Sequence, residues 1–181
     1  MQSQPEHNSH PDISDAQLHW CRLDAHARRP GAGAEAWLRN EGSLTRLLMR
    51  QSGNEFRVQV VEERWITSES QSLSQQFGPV APAHRFWSRK VILHGRNEPW
   101  VAAHTLIPEH SFFSPLRDLL VLNERPLGEY LFSHPELLRA EMDFAPLADD
   151  GTWGRRSLFF LHRKPVMVAE FFLPALLAQL D

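Results

Sequence analysis

Cysteine is nearly absent: Cys21 stands alone in 181 residues. No intramolecular disulfide and no cysteine-based metal cluster can form. Lysine is almost as scarce, with Lys90 and Lys164 the only two among 19 basic residues, the other 17 being Arg. No apolar run approaches the roughly 20 residues of a membrane-spanning helix, and the polar start MQSQPEHNSHPDISD has no apolar stretch of the secretory-signal kind. A cytoplasmic, reducing compartment is therefore expected, and no membrane insertion. Cys21, placed among Leu18, Trp20 and Leu23, reads as a small packing residue. The ten His residues show no HxxxH or HExxH spacing, so no metal site is expected. G-x-G-x-x-G, P-loop and G-x-S-x-G motifs are all missing, which leaves nucleotide binding and serine hydrolysis without support. A formal charge of -3 gives no general attraction to nucleic acid. GC-rich codon usage accounts for an Arg surplus in bulk, so only an Arg in an unexpected setting is informative.

What is present suits one domain: 42% apolar and 23% charged residues can build a sizeable core. A flexible polar tail over 1–11 and a single domain over 12–181 are expected. Asp12-Ile13-Ser14-Asp15 offers helix N-caps ahead of Leu18, Trp20 and Leu23, and Pro30-Gly31-Ala32-Gly33 breaks the chain before a helix carrying Trp37 and Leu38. Ser43 is placed to cap a helix from Leu44 to Arg50 that ends near Gly53. Phe56, Val58 and Val60 then alternate with polar residues at strand period. The Ser- and Gln-rich run from Arg64 to Val80 reads as a loop, and its 66–80 portion as a candidate cover. RFWSRKVILH (85–94) and Pro99–Ile107 read as a hairpin, closed by Gly95-Arg96-Asn97-Glu98. Ser114-Pro115 opens a short helix through Leu120, and Pro126 opens another over Leu127–Phe132. Met142–Phe144 is a further strand; Ser157–His162 and Val166–Leu173 are two apolar strands. Strands joined mainly as hairpins predict an antiparallel sheet with flanking helices, the α+β class.

Two charges sit where charges do not belong. Side chains alternate faces along a strand, so Arg89 shares a face with Trp87, Val91 and Leu93. In the last strand both faces are apolar, and Glu170 lies among Val166, Val168 and Phe172. An unpaired buried charge costs several kcal/mol. Either the two pair with each other or with backbone groups, or they line one cavity, where Arg89 would grip a carboxylate and Glu170 would accept a hydrogen bond or handle a proton. Spacing alone does not choose. Arg155-Arg156, following Trp153-Gly154, reads either as an anion-binding pair or, the favoured reading, as a turn cap answered by Asp149 and Asp150.

These segments resemble the chorismate pyruvate-lyase family. The resemblance runs through WLRNEGSLTR (37–46), RFWSRKVILHGRNEPWVAAHTLIP (85–108), PLGEYLF (126–132), WGRRS (153–157) and KPVMVAEFFLP (164–174), in family order. It implies a lyase that turns chorismate into 4-hydroxybenzoate and pyruvate, the first step of ubiquinone biosynthesis. No cofactor is implied, and a monomer enclosing a buried ligand cavity is expected. Residue by residue, the family's ligand-binding Arg corresponds to Arg89, its Glu to Glu170 and the Leu of P-L-G to Leu127. The early-helix position that is Met in a relative is Leu44 here, a change of little weight if the position acts through its backbone N–H, and a slight change of cavity shape if the thioether packs on the ring. The competing expectation is a non-catalytic, effector-sensing domain of similar fold that binds an aromatic acid.

Overall fold

Alternating side chains over three long runs build one side of a seven-stranded antiparallel sheet in the computed structural model. The structure describes residues 18–67, 76–78, 81, 83–112, 116–147 and 151–180. Strands β1 (Phe56–Thr67), β2 (Arg85–Gly95) and β3 (Glu98–Pro108) lie side by side. β3 then pairs with β7 (Lys164–Phe172), and β7 with β6 (Trp153–Leu161). Two short strands, β4 (Leu138–Arg139) and β5 (Asp143–Pro146), pair with β6. The two tight hairpins turn at Arg96-Asn97 and His162-Arg163, where all four residues take positive φ, as the right-handed strand twist demands of a two-residue turn.

The helices are short: α1 (Ala32–Leu38), α2 (Leu44–Ser52), α3 (Leu127–Phe132) and α4 (Pro174–Leu177). Ser43 caps α2, its Oγ accepting from the Arg46 amide at 3.4 Å, and Gly53 closes it in the left-handed region at φ 66°. Leu38, Leu44, Leu48 and Leu176 pack on Val91, Leu93, Val101 and Phe172 of one sheet face. Further along that face, Leu116, Leu119 and Leu131 pack on Ile107, Val166 and Val168. The other face carries Phe86, Ile92, Ala102, Met167, Ala169 and Phe171, packed by Leu18, Trp20, Phe77 and Leu147. The α+β, antiparallel expectation holds.

Several local expectations do not. Residues 18–22 form no helix. Cys21 instead bridges to Phe144 through two backbone hydrogen bonds, so a sheet edge takes the amides that a helix would have used, and only a 3-10 turn follows at Leu23–Ala25. β1 continues through Thr67, because Trp65, Ile66 and Thr67 find strand partners in Trp87, Phe86 and Arg85. The stretch after Leu116 is a 3-10 helix (Leu116–Val121). β6 starts at Trp153, which puts Arg155 and Arg156 inside a strand rather than at a turn. The expected tail (1–11), the caps at 12–15, the Ser114-Pro115 start, the Asp149-Asp150 turn and positions 68–75 and 79–80 of the expected cover lie outside the described residues. No helix among the described residues is long and apolar enough to cross a membrane.

His104 lies on the sheet face away from most helices, with Nε2 2.9 Å from Ser88 Oγ. Burial, and secondarily the Lys90 cation, push it down to about 4, with Glu62 acting the other way. The unfolded chain takes up a proton near pH 6.5 that the folded chain refuses until about 4. Stability from this group is therefore complete above pH 6.5 and is lost as pH falls toward 4, by about 3 kcal/mol in total. Urea unfolding across pH 4–7 is expected to show this slope, and His104→Gln to flatten it relative to wild type. Parallel profiles for the two proteins would refute the assignment.

Candidate active site

Small side chains on β3 open a cavity in the face that carries the helices. Register places Arg89 beside Thr105 and Val168, and Val91 beside Ala103 and Glu170. Thr105 and Ala103 thus floor the space between Arg89 on β2 and Glu170 on β7, two strand spacings or about 9.5 Å apart across the sheet. The roof is the start of α2 (Leu44, Thr45) and of α3 (Leu127, Gly128). All four residues expected at the site, Arg89, Glu170, Leu44 and Leu127, line this one cavity. The two helix starts approach closely because Gly128 has no side chain: a Cβ there would lie 2.7 Å from Thr45 Oγ1.

Arg89 and Glu170 do not pair with each other. Arg89 is 4% exposed; its Nη1 donates to Glu63 and its Nη2 to the Asn123 carbonyl at 2.5 Å. Glu63 escaped the sequence reading because of a β-bulge between Val60 and Glu62. Strict alternation from Val58 and Val60 would send Glu63 to the far face. The extra residue flips the phase, so that Glu63 stands opposite Arg89. A carboxylate ligand must use the guanidinium N–H groups that Glu63 and Asn123 leave over.

Glu170 is answered from the other side. Its strand partner in the register is Arg155, whose Nε donates to Oε2 at 2.7 Å. This corrects the expectation that Arg155 caps a turn against Asp149 and Asp150. Arg155 is 1% exposed, and its Nη1 lies within 2.7–3.1 Å of the carbonyls of Trp37, Leu38 and Asn40. Those are the last carbonyls of α1 and the loop beyond it, groups a helix leaves unsatisfied. Arg156 points to the opposite face, stacks its guanidinium on Trp20 at 4.7 Å and bonds Asp143. Glu170 Oε1 has no protein hydrogen bond among the described residues and remains available to a ligand.

The cavity therefore has two polar ends and apolar walls: Val58, Val91, Leu93, Leu131, Phe159 and Val168 separate the Arg89–Glu63 end from the Glu170–Arg155 end. Such a site suits a small, flat, mainly apolar ligand with an anion at one end and a hydroxyl at the other. Among the described residues, no cluster of three or more metal-ligating side chains forms.

Comparison with known proteins decides the family. The Chorismate lyase family matches residues 16–180. The chain belongs to the chorismate lyase family. Chorismate pyruvate-lyase of Photorhabdus laumondii is 39% identical over 139 residues, covering 76% of this chain and 79% of its own. The Serratia proteamaculans chorismate pyruvate-lyase is 36% identical over 159 residues, 87% of each chain. Among solved structures, the effector domain of PhnF from Mycobacterium smegmatis shares the fold, with a TM-score of 0.54 at 13% identity, over 75% of this chain and 91% of that one. As a chorismate lyase family member, the chain keeps its five resemblance blocks in spatial order around the cavity: the two helix starts form the roof, and β2, β3, β6 and β7 form the floor and walls.

Removing Arg155 alone would strand Glu170 against an apolar wall and free three carbonyls. Arg155→Met is expected to destabilise the fold by about 3–5 kcal/mol. Adding Glu170→Met to that variant should recover a large part of the loss, since the uncompensated carboxylate is then gone. Denaturant unfolding of the two single variants and the double variant measures this, and strict additivity would refute the pairing.

Proposed function

We infer that this chain is a lyase that converts chorismate into 4-hydroxybenzoate and pyruvate, the reaction that opens ubiquinone biosynthesis, and that it does so in the cavity between Arg89 and Glu170. The observation that supports this most is the opposed pair itself: a buried cation and an available carboxylate oxygen at the two ends of one apolar slot. Family membership supplies the substrate.

Chorismate carries a ring carboxylate, a ring hydroxyl and an enolpyruvyl ether with its own carboxylate. The ring carbon–ether oxygen bond breaks, and the hydrogen on the hydroxyl-bearing carbon leaves as a proton. Its electron pair completes the aromatic ring, and the departing enolate takes a proton on its methylene carbon and becomes pyruvate. Aromatisation drives the reaction, so the protein's work is conformer selection and charge stabilisation. Arg89 holds the ring carboxylate through the donors that Glu63 leaves over. Leu44 and Leu127, which open α2 and α3, line the cavity, and their amides, without acceptors in their own helices, would add donors for anionic oxygen. Leu44, in place of the family's Met, serves equally well in a role carried by the backbone. Glu170 Oε1 accepts from the ring hydroxyl. It either relays the ring proton or orients the ring while that hydrogen passes directly to the enolpyruvyl methylene.

The fold shared with the PhnF effector domain is neutral between turnover and mere binding, since a fold hosts many functions. Turnover decides. Incubation with chorismate should generate the absorbance of 4-hydroxybenzoate, and its absence would leave an aromatic-acid-binding domain instead. Arg89→Ala should lower kcat/KM by about 100-fold or more, in line with loss of a buried charge-assisted pair, and weaken 4-hydroxybenzoate binding. Wild-type affinity in that variant would remove Arg89 from the carboxylate. Glu170→Gln keeps shape and accepting oxygen but cannot carry a proton. A rate near wild type would limit Glu170 to orienting the ring.

A further inference from the structure

Three arginines line the cavity: Arg89, Arg155 and Arg139. Two are matched by carboxylates, Arg89 by Glu63 and Arg155 by Glu170. Arg139, on the two-residue strand β4, is different. Among the described residues no carboxylate lies within ion-pair distance of it. Its contacts are neutral: Nε donates to Ser157 Oγ at 2.9 Å, and Nη1 to the carbonyls of Glu41 at 3.1 Å and Asn40 at 3.4 Å. Its guanidinium carbon lies 4.9 Å from the Phe159 ring centre. Nη2 has no hydrogen-bond partner in the protein among the described residues, and the half-buried side chain leaves it open toward cavity and groove.

Its position is also distinct. Arg139 and Phe132 are shared between the inner cavity and a separate groove on the surface, bordered by Glu41, His134 and Met142. Arg139 therefore stands at the junction of the two, on the Glu170–Arg155 side. Burial, and then the nearby Arg155 cation, lower its pKa to about 10, with the Glu170 and Glu41 carboxylates acting the other way from beyond ion-pair distance, which leaves it charged at neutral pH. A half-buried, preorganised cation with an open amino group at the junction calls for an anion from outside the protein.

We propose that Arg139 holds the second carboxylate of the substrate, the one on the enolpyruvyl group, at the junction of cavity and groove, and so distinguishes the dianionic substrate from its monoanionic ring product. This rests on the lyase reading above. It completes a charge balance that reading leaves open: Arg89 answers the ring carboxylate, and Arg139 answers the carboxylate that departs with pyruvate. Once the ether bond breaks, the ring product no longer has a group for Arg139 to hold.

The test compares two ligands in one set of variants. Arg139→Gln should raise KM for chorismate by about 10- to 100-fold, the scale of one charge-assisted contact, while the Kd for 4-hydroxybenzoate stays within about twofold of wild type. Arg139→Lys keeps the charge without the planar fork and should fall between the two. A purely structural role would distort the cavity and weaken both ligands together. Equal losses for chorismate and 4-hydroxybenzoate, or no change in either, would overturn the proposal. If Arg139→Gln does not fold, the Lys variant carries the same comparison: a selective loss for chorismate supports the proposal, and a parallel loss overturns it. Wild-type protein that makes no 4-hydroxybenzoate would sink the lyase reading itself, a result separable from either outcome for the variants.

Discussion

Burying Arg155 is the constraint on which the site depends. A guanidinium with 1% exposure must be surrounded by acceptors, and here they come from two parts of the chain. One is Glu170 on the neighbouring strand; the others are the carbonyls that end α1 and begin its loop. The same side chain thus fixes the carboxylate that faces the cavity and the loop that leads into α2, whose first residues form the roof. A buried pair adds little net stability over an apolar replacement of the same shape. What it adds here is placement: neither Glu170 nor the start of α2 can shift without exposing an unpaired group.

The sequence showed the frame of this arrangement and hid its couplings. Alternation in 85–94 and in the last strand put Arg89 and Glu170 on apolar faces, and the structure places both in one cavity. Their partners were not legible. Glu63 was concealed by the bulge at Val60/Glu62, since a single inserted residue reverses every later face in the strand and leaves no mark in the local composition. Arg155 was concealed because Trp-Gly-Arg-Arg resembles a turn, whereas β6 already begins at Trp153. Arg139 lies on a strand too short to show any period. The non-helical start at Leu18–Arg22 follows the same logic: local caps favoured a helix, and pairing with the distant Phe144 overrode them.

The cavity depends as much on what β3 lacks as on what its neighbours carry. Thr105 and Ala103 sit where Val, Leu or Phe would fill the space between Arg89 and Glu170, and Gly128 sits where any side chain would push α3 away from Thr45. Flanking strands are as densely apolar as any core. The hollow is therefore a local choice of small residues on a well-packed sheet, not looseness of the fold. This is also why likeness of fold to an effector domain says nothing of chemistry: the sheet can be kept while three or four positions on it decide whether it holds a ligand, and which one.

Charge balance then separates binding from turnover. A domain that only held an aromatic monoanion would need a single unmatched cation near the carboxylate. Here the cation at that end, Arg89, is already matched by Glu63, and the unmatched one, Arg139, stands at the other side of the cavity near Glu170. Before any ligand enters, Glu63 competes for Arg89, so a ring carboxylate is gripped less firmly than a bare guanidinium would grip it. The cation without a carboxylate partner, Arg139, lies instead beside the groove, whose lining also carries Glu41 and Glu141. In the proposed arrangement, a monoanionic ring product would be held at its weaker end alone, while a dianion would engage both. On the proposed reading, that distribution loosens the hold on the ring once the second carboxylate has left, which suits release after turnover better than sensing of the product.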